Sequence, residues 1–371
     1  MFFADTFKDK VVLVTGHTGF KGTWLVAWLK MLGAKVVGIS KGLPSDPSAF
    51  KLTKQQKNIN DYRFNISNAA RLKTVINKHQ PDFIFHLAAQ AIVSTSYSDP
   101  VETIQTNTMG TVNVLDAVKD YSKKCTVIMI TSDKCYENVE WIWGYKETDK
   151  LGGKDIYSAS KAAAEIVING YYHSFLKHNK NIKLGIARAG NVIGGGDWAK
   201  DRLIVDCVKA WSKGEKVHIR SPYSTRPWQH VLEPLSGYLL LAFRLNHDQN
   251  LSGEAFNFGP NSNQNNTIKE VTDTLSTLWG FKRSSQGITT DKRQMFQEAG
   301  LLKLNCDKSL ALLDWAPTLS FDETLKMVAD WYLNYYEGND DINLFTLKQI
   351  SIYENFAKER GRSWASLKKI R

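Results

Sequence analysis

The sequence predicts an α/β fold, a doubly wound parallel sheet with a smaller C-terminal α/β substrate-binding domain. Three observations carry this expectation. Short apolar, β-branched runs alternate with helical stretches through the first half of the chain. A glycine-spaced turn joins the first run to the first helix, and beyond about residue 190 the pattern loosens into glycine and proline punctuation. With 371 residues, 43% of them hydrophobic, the chain is globular and longer than one core comfortably serves.

The first run, Lys10 to Thr15, reads Lys-Val-Val-Leu-Val-Thr, as a buried parallel strand should. It stops at Gly16. From Gly19 onward Phe20, Trp24, Leu25, Trp28, Leu29 and Leu32 recur at helical spacing, which puts Gly16-His17-Thr18-Gly19-Phe20-Lys21-Gly22 in a strand-to-helix turn. Such a turn lets backbone approach a pyrophosphate, while the amides and dipole of the following helix favour the anion. Further strands are expected at Lys35–Ser40, Asp82–Ala88, Thr126–Thr131 and Lys183–Ala189, with helices between them, and Ser160 to Asn169 is a good helix former. Gly194-Gly195-Gly196, Pro222, Pro227 and Pro234 then break the pattern. The expected division is 1–190 for a dinucleotide-binding domain, to which segments near 230–260, such as Glu254 to Gly259, return, and 191–371 for the substrate-binding portion, with an interleaved boundary. Leu344 to Arg371 is helical in pattern and basic, and carries no functional reading.

Two groups of residues suggest chemistry. Tyr157 and Lys161 are four apart in a helical stretch and share one face. A cation there favours the phenolate, and moving a phenol from its ordinary pKa of about 10 toward working pH makes it a general base for a hydroxyl. Ser132-Asp133-Lys134 follows the strand expected at Thr126–Thr131, just past the carboxyl end where doubly wound sheets carry active residues. Ser132 can bond the same hydroxyl as Tyr157. Asp133 and Lys134 add an acid and an amine base, which eliminating water requires and simple hydride transfer does not. The plainer reading of that pair is a structural ion pair at a strand end.

Composition excludes several classes. The formal net charge is +11, but the basic residues are scattered, with no tract beyond Lys368-Lys369 and its neighbours, so no nucleic-acid partner is expected. Cys125, Cys135, Cys207 and Cys306 lack metal-site spacing and read as reduced thiols of a cytoplasmic protein; no metal is expected. No apolar run approaches the roughly 18 residues of a membrane span, and no leader pattern opens the chain.

The Gly-x-x-Gly-x-x-Gly turn with Tyr157-x-x-x-Lys161 resembles the short-chain dehydrogenase/reductase superfamily, whose sheet is Rossmann-like. Three longer blocks, Thr131 to Gly144, Ala187 to Trp198 and Ser224 to Gly237, resemble the CDP-glucose 4,6-dehydratases, and the likeness runs from the glycine turn to Glu298–Leu304. The resemblance implies a hydro-lyase that binds NAD and converts CDP-D-glucose to CDP-4-keto-6-deoxy-D-glucose, on the way to dideoxy sugars of bacterial surface polysaccharide. Ser132, Asp133, Lys134, Tyr157 and Lys161 would be catalytic. Gly16 to Gly22, Asn65, Ile66, Ala88, Ala89, Gln90, Asn107, Tyr157 and Lys161 would hold the cofactor. Ser132, Asn191, Arg202, Leu203, Ile204 and Arg226 would hold the nucleotide sugar, forked guanidinium groups suiting phosphate oxygens. Arg188 fits either a substrate contact or a brace. The resemblance also implies a homodimer or homotetramer, through helices about Val101–Val118 and Ser158–Leu176.

Two departures stand out. Ser40-Lys41-Gly42 offers no acid for the adenosine ribose and on physical grounds leans toward a ribose phosphate, hence NADP, whereas the resemblance says NAD. Asn65 stands where an aspartate commonly meets the adenine amino group, and an amide makes a related bond. The alternatives left open are a dehydratase or epimerase of a GDP or UDP sugar and a catalytically silent nucleotide-binding protein.

Overall fold

The computed structural model describes residues 2–219, 221–261, 264–290, 302–338 and 340–366. Its centre is a seven-stranded sheet built from β1 (Val11–Thr15), β2 (Lys35–Ser40), β3 (Asn60–Arg63), β4 (Phe83–His86), β5 (Cys125–Ile130), β6 (Ile182–Ala189) and β7 (Ala255–Phe258). The order is β7-β6-β5-β4-β1-β2-β3, and every neighbouring pair is parallel. The order reverses between β1 and β4, which opens a crevice at their carboxyl ends. The architecture is the α/β, Rossmann-like one expected from the sequence.

Burial on both faces explains why the central strands read as continuous apolar runs. Val12 and Val14 join one core cluster and Leu13 another, as the two-residue period of a strand requires. Observed strands fall within a residue or two of the expected ones. β3, with sequence Asn-Asp-Tyr-Arg, carries no apolar signal because it is the edge strand and is half solvated. β7 lies late in the chain yet pairs Ala255–Phe258 with Ile186–Ala189.

Helices Phe20–Met31 and Leu232–His247 pack on one face, and the latter is buried along nearly its whole length. Outside the sheet, short strands pair Val192–Ile193 with Gln229–His230 and Thr225–Arg226 with Asn266–Thr267. The C-terminal stretch forms helices Ile342–Glu359 and Ser363–Ser366, which return to the N-terminus. Trp364 stacks on Phe3 with ring centroids 5.0 Å apart, and Trp28 Nε1 donates to Glu354 Oε1 over 2.9 Å. All four cysteines are free thiols. Among the described residues no group of His, Cys, Asp or Glu suits a metal ion, and no helix is long and apolar enough to cross a membrane. Lys368-Lys369 and Glu298–Leu301 lie outside the described residues.

Candidate active site

The glycine turn sits at the crevice. Gly16 adopts φ +75°, and a Cβ there would lie 2.7 Å from the Ala88 amide nitrogen, so the turns after β1 and β4 touch. A Cβ on Gly22 would lie 2.1 Å from the Gly16 carbonyl oxygen, which is what lets the helix start so close to the strand end. The helix N-cap is Gly19, with no side chain capping the first-turn amides. His17 is buried between Ser40 Oγ, 3.0 Å from Nδ1, and Asp61 Oδ1, 2.9 Å from Nε2. Burial lowers its pKa, against the pull of Asp61. Thr18 donates to the Gly42 carbonyl over 2.6 Å and Phe20 opens the helix, so the turn is tied to the end of β2.

Lys41 is not poised for a phosphate. Its side chain is 70% exposed and its ammonium is paired with Glu102 Oε1 at 2.9 Å. The acid at this end of the sheet is Asp61 on β3, shared between His17 and Arg63. Asn65 caps its own turn through Ser67 N, and Ile66 is buried against the helix at Gly110.

Past β4, Gln90 donates its amide to Asn107 Oδ1 over 2.8 Å, and Asn107 Nδ2 reaches the Gln90 carbonyl at 3.1 Å and Ser160 Oγ at 2.9 Å. Asn107 thus bridges the Ala88-Ala89-Gln90 loop to the helix Ile156–Tyr171, which carries Tyr157 and Lys161. That helix begins at Asp155, whose carboxylate caps the Ser158 amide.

Tyr157 is 8% and Lys161 6% exposed. Lys161 has no hydrogen-bond or ion-pair partner among the described residues; burial pushes its ammonium down to about 8, opposed by Cys135 and Glu165. Lys21 is likewise pushed down to about 8, by burial first, with Asp133 opposing and Lys161 and Arg202 adding to the fall. Tyr157 is pushed up to about 12, by burial and then the Asp133 carboxylate, while a bond to Ser132 and the charge of Arg202 pull the other way. Enclosure from water is invisible in a Tyr-x-x-x-Lys spacing.

Ser132 donates to Asp133 Oδ1 over 2.9 Å and accepts from the Lys134 amide at 3.2 Å, forming a tight turn. Asp133 and Lys134 form no ion pair with one another; both line a pocket with Asn191, Arg226, Pro227 and Leu302. Arg202 is near enough to act on Tyr157 and Lys21. Leu203 and Ile204 open the next helix, and nothing places them in the pocket. Arg188 is a brace: its guanidinium is forked onto Glu165. Pro227, Leu302 and Glu165 were missed. Glu165 was legible as the next turn after Lys161 on the same face, whereas Leu302 arrives from far along the chain with no local signal.

The sequence profile of the family described as GDP-mannose 4,6 dehydratase matches residues 13–328. The chain belongs to that family. Among members and relatives, a CDP-glucose 4,6-dehydratase of Salmonella typhimurium is 42% identical over 350 residues, 93% of this chain and 96% of the relative. The dTDP-glucose 4,6-dehydratase of Bacillus anthracis, solved in complex with NAD, superposes with a TM-score of 0.72 at 23% identity, over 90% of this chain and 98% of that one. The UDP-glucose 4-epimerase of Thermotoga maritima, solved with UDP-glucose, gives 0.74 at 23% identity, over 88% and 99%. Dehydratase and epimerase superpose equally well, so this family's fold does not choose the reaction.

Proposed function

We propose that the protein is a nucleotide-sugar 4,6-dehydratase that takes CDP-glucose and carries NAD through an internal redox cycle. The observation that carries this reading is the pocket shared by Asp133, Lys134, Asn191 and Arg226, next to the enclosed Tyr157 and Lys161. The residues present fit a dinucleotide: the uncapped amides after Gly19 suit a pyrophosphate, and the buried, unpartnered Lys161 suits ribose hydroxyls. Lys41 held by Glu102 and the carboxylate of Asp61 favour NAD over NADP.

NAD, when bound, would supply a hydride acceptor that later returns the hydride, held by the Gly16–Gly22 turn and Lys161. Tyr157 Oη, as the phenolate, accepts the proton of the carbon 4 hydroxyl, to which Ser132 Oγ also bonds. The resulting ketone acidifies the proton on carbon 5. Lys134 Nζ, as the neutral amine, takes that proton and Asp133, as the protonated acid, delivers one to the hydroxyl leaving carbon 6, so water departs. Both groups sit on one turn fixed by Ser132. Arg226, Arg202 and Asn191 hold the diphosphate. The product is CDP-4-keto-6-deoxy-D-glucose, with no net oxidation.

Incubating the protein with CDP-, GDP- and UDP-glucose and GDP-mannose, and following the ultraviolet absorbance of a 4-keto product, tests the reading. A 4-keto product from CDP-glucose supports it; carbon 4 epimerisation without loss of water, or no conversion of any sugar, overturns it. We also propose a homodimer, for which exposed Tyr97, Val101, Met109, Ile166 and Phe175 on the helices spanning 93–119 and 156–176 supply an apolar face. Ile166→Glu should then give monomers in sedimentation.

A further inference from the structure

The turn bearing Asp133 and Lys134 is anchored on both sides by a single buried ion pair. Glu165 is 2% exposed and accepts from Arg188 Nε and Nη2, each at 2.9 Å. Its Oε1 also accepts from Thr131 Oγ1, immediately before Ser132. The same guanidinium donates through Nη1 to Tyr136 Oη over 2.7 Å, immediately after Cys135, and to the Glu147 carbonyl at 3.1 Å. Tyr136 in turn donates to Asn257 Oδ1 over 2.8 Å. Glu165 and Arg188 thus hold Thr131 and Tyr136, the two residues that bracket Ser132–Cys135. Glu165 also stands one helical turn beyond Lys161, on the face that carries Tyr157.

We propose that Glu165 is a positioning residue, whose carboxylate fixes the Tyr157–Lys161 helix against the Ser132–Lys134 turn. The inference rests on the dehydratase reading. A fork of two parallel bonds constrains orientation as well as distance, so the pair sets the angle between helix and turn. It is enclosed, and removing one partner leaves a buried charge without its counterpart. The charged and titratable groups around Lys161 are Cys135 on the turn, Tyr157 and Glu165 on its own helix, Lys21 on the first helix and His86 on β4. Glu165 and Cys135 favour the ammonium, and burial holds the enclosed thiol well above its ordinary pKa.

Two variants separate charge from position. Glu165→Gln removes the charge, and the alkaline limb of the kcat/KM profile for 4-keto product formation should move down by at least about half a pH unit. Glu165→Asp keeps the charge one methylene short, and should leave that limb in place while kcat falls about tenfold. Melting curves establish that each variant folds. An unmoved limb in a folded Glu165→Gln protein overturns the inference. Should Glu165→Gln fail to fold, Glu165→Asp decides: reduced kcat with an unmoved limb supports it, and wild-type kcat overturns it. Failure of the wild-type protein to form any 4-keto sugar would instead overturn the dehydratase reading.

Discussion

Replacing Lys134 with methionine isolates the second half of the proposed reaction. Lys134 Nζ has no hydrogen bond or ion pair among the described residues; its backbone amide is engaged by Ser132 Oγ at 3.2 Å. Methionine keeps most of the apolar stem, so Lys134→Met should change stability by no more than about 0.5 kcal/mol. The Ser132–Asp133 bond of 2.9 Å and the enclosure of Tyr157 remain, so carbon 4 chemistry should survive. What disappears is the proton acceptor for carbon 5. A positioned general base contributes roughly 10² to 10⁴-fold, which is about 3 to 5 kcal/mol of barrier. Three measurements on one sample check this: the 4-keto product, exchange of the carbon 5 proton with deuterated water, and nicotinamide absorbance in a single turnover. The expected result is lost dehydration and exchange with reduced nicotinamide still formed. Dehydration at the wild-type rate in the folded variant would remove Lys134 from the mechanism.

Three further outcomes follow from the geometry. Tyr157→Phe should abolish nicotinamide reduction as well as dehydration, by at least about 10², measured in the same single-turnover assay. Gly22→Ala drives a Cβ to 2.1 Å from the Gly16 carbonyl, and should cost about 1–3 kcal/mol with loss of NAD binding, checked by melting and by calorimetric titration. Glu233 is buried beneath the C-terminal segment and accepts from the amides of Thr318 and Leu319 and from Tyr353 Oη. Burial pushes its pKa up from 4.5 to about 7, so the folded protein holds this proton more tightly than the unfolded chain. Its contribution is therefore fully present below pH 4.5 and lost as pH rises through 7, a swing on the order of 3 kcal/mol. Glu233→Gln should flatten that part of the stability curve, as melting temperatures across the range would show.

The central strands were legible because burial on two faces demands uninterrupted Val, Ile, Leu and Phe; Lys35–Ser40 was placed to the residue. The edge strand Asn60–Arg63 was not, because a solvated edge imposes no such pattern. The glycine turn and the Ser132–Lys134 turn were legible as short words tied to strand ends. Two features depended on the third dimension. The phenol's environment follows from enclosure by the surrounding core and from Asp133, which the spacing of Tyr157 and Lys161 does not show. Leu302 and Pro227 join Asp133 only through long-range closure. The C-terminal helices, without a reading in sequence, serve packing through Trp28, Glu354 and Trp364.

The path of one hydrogen tests the central claim most directly. CDP-glucose carrying deuterium on carbon 4 is converted by the purified protein and the product examined by NMR and mass spectrometry. The account predicts dehydrated product with the label on carbon 6. Label retained on carbon 4, or lost to solvent, would contradict it.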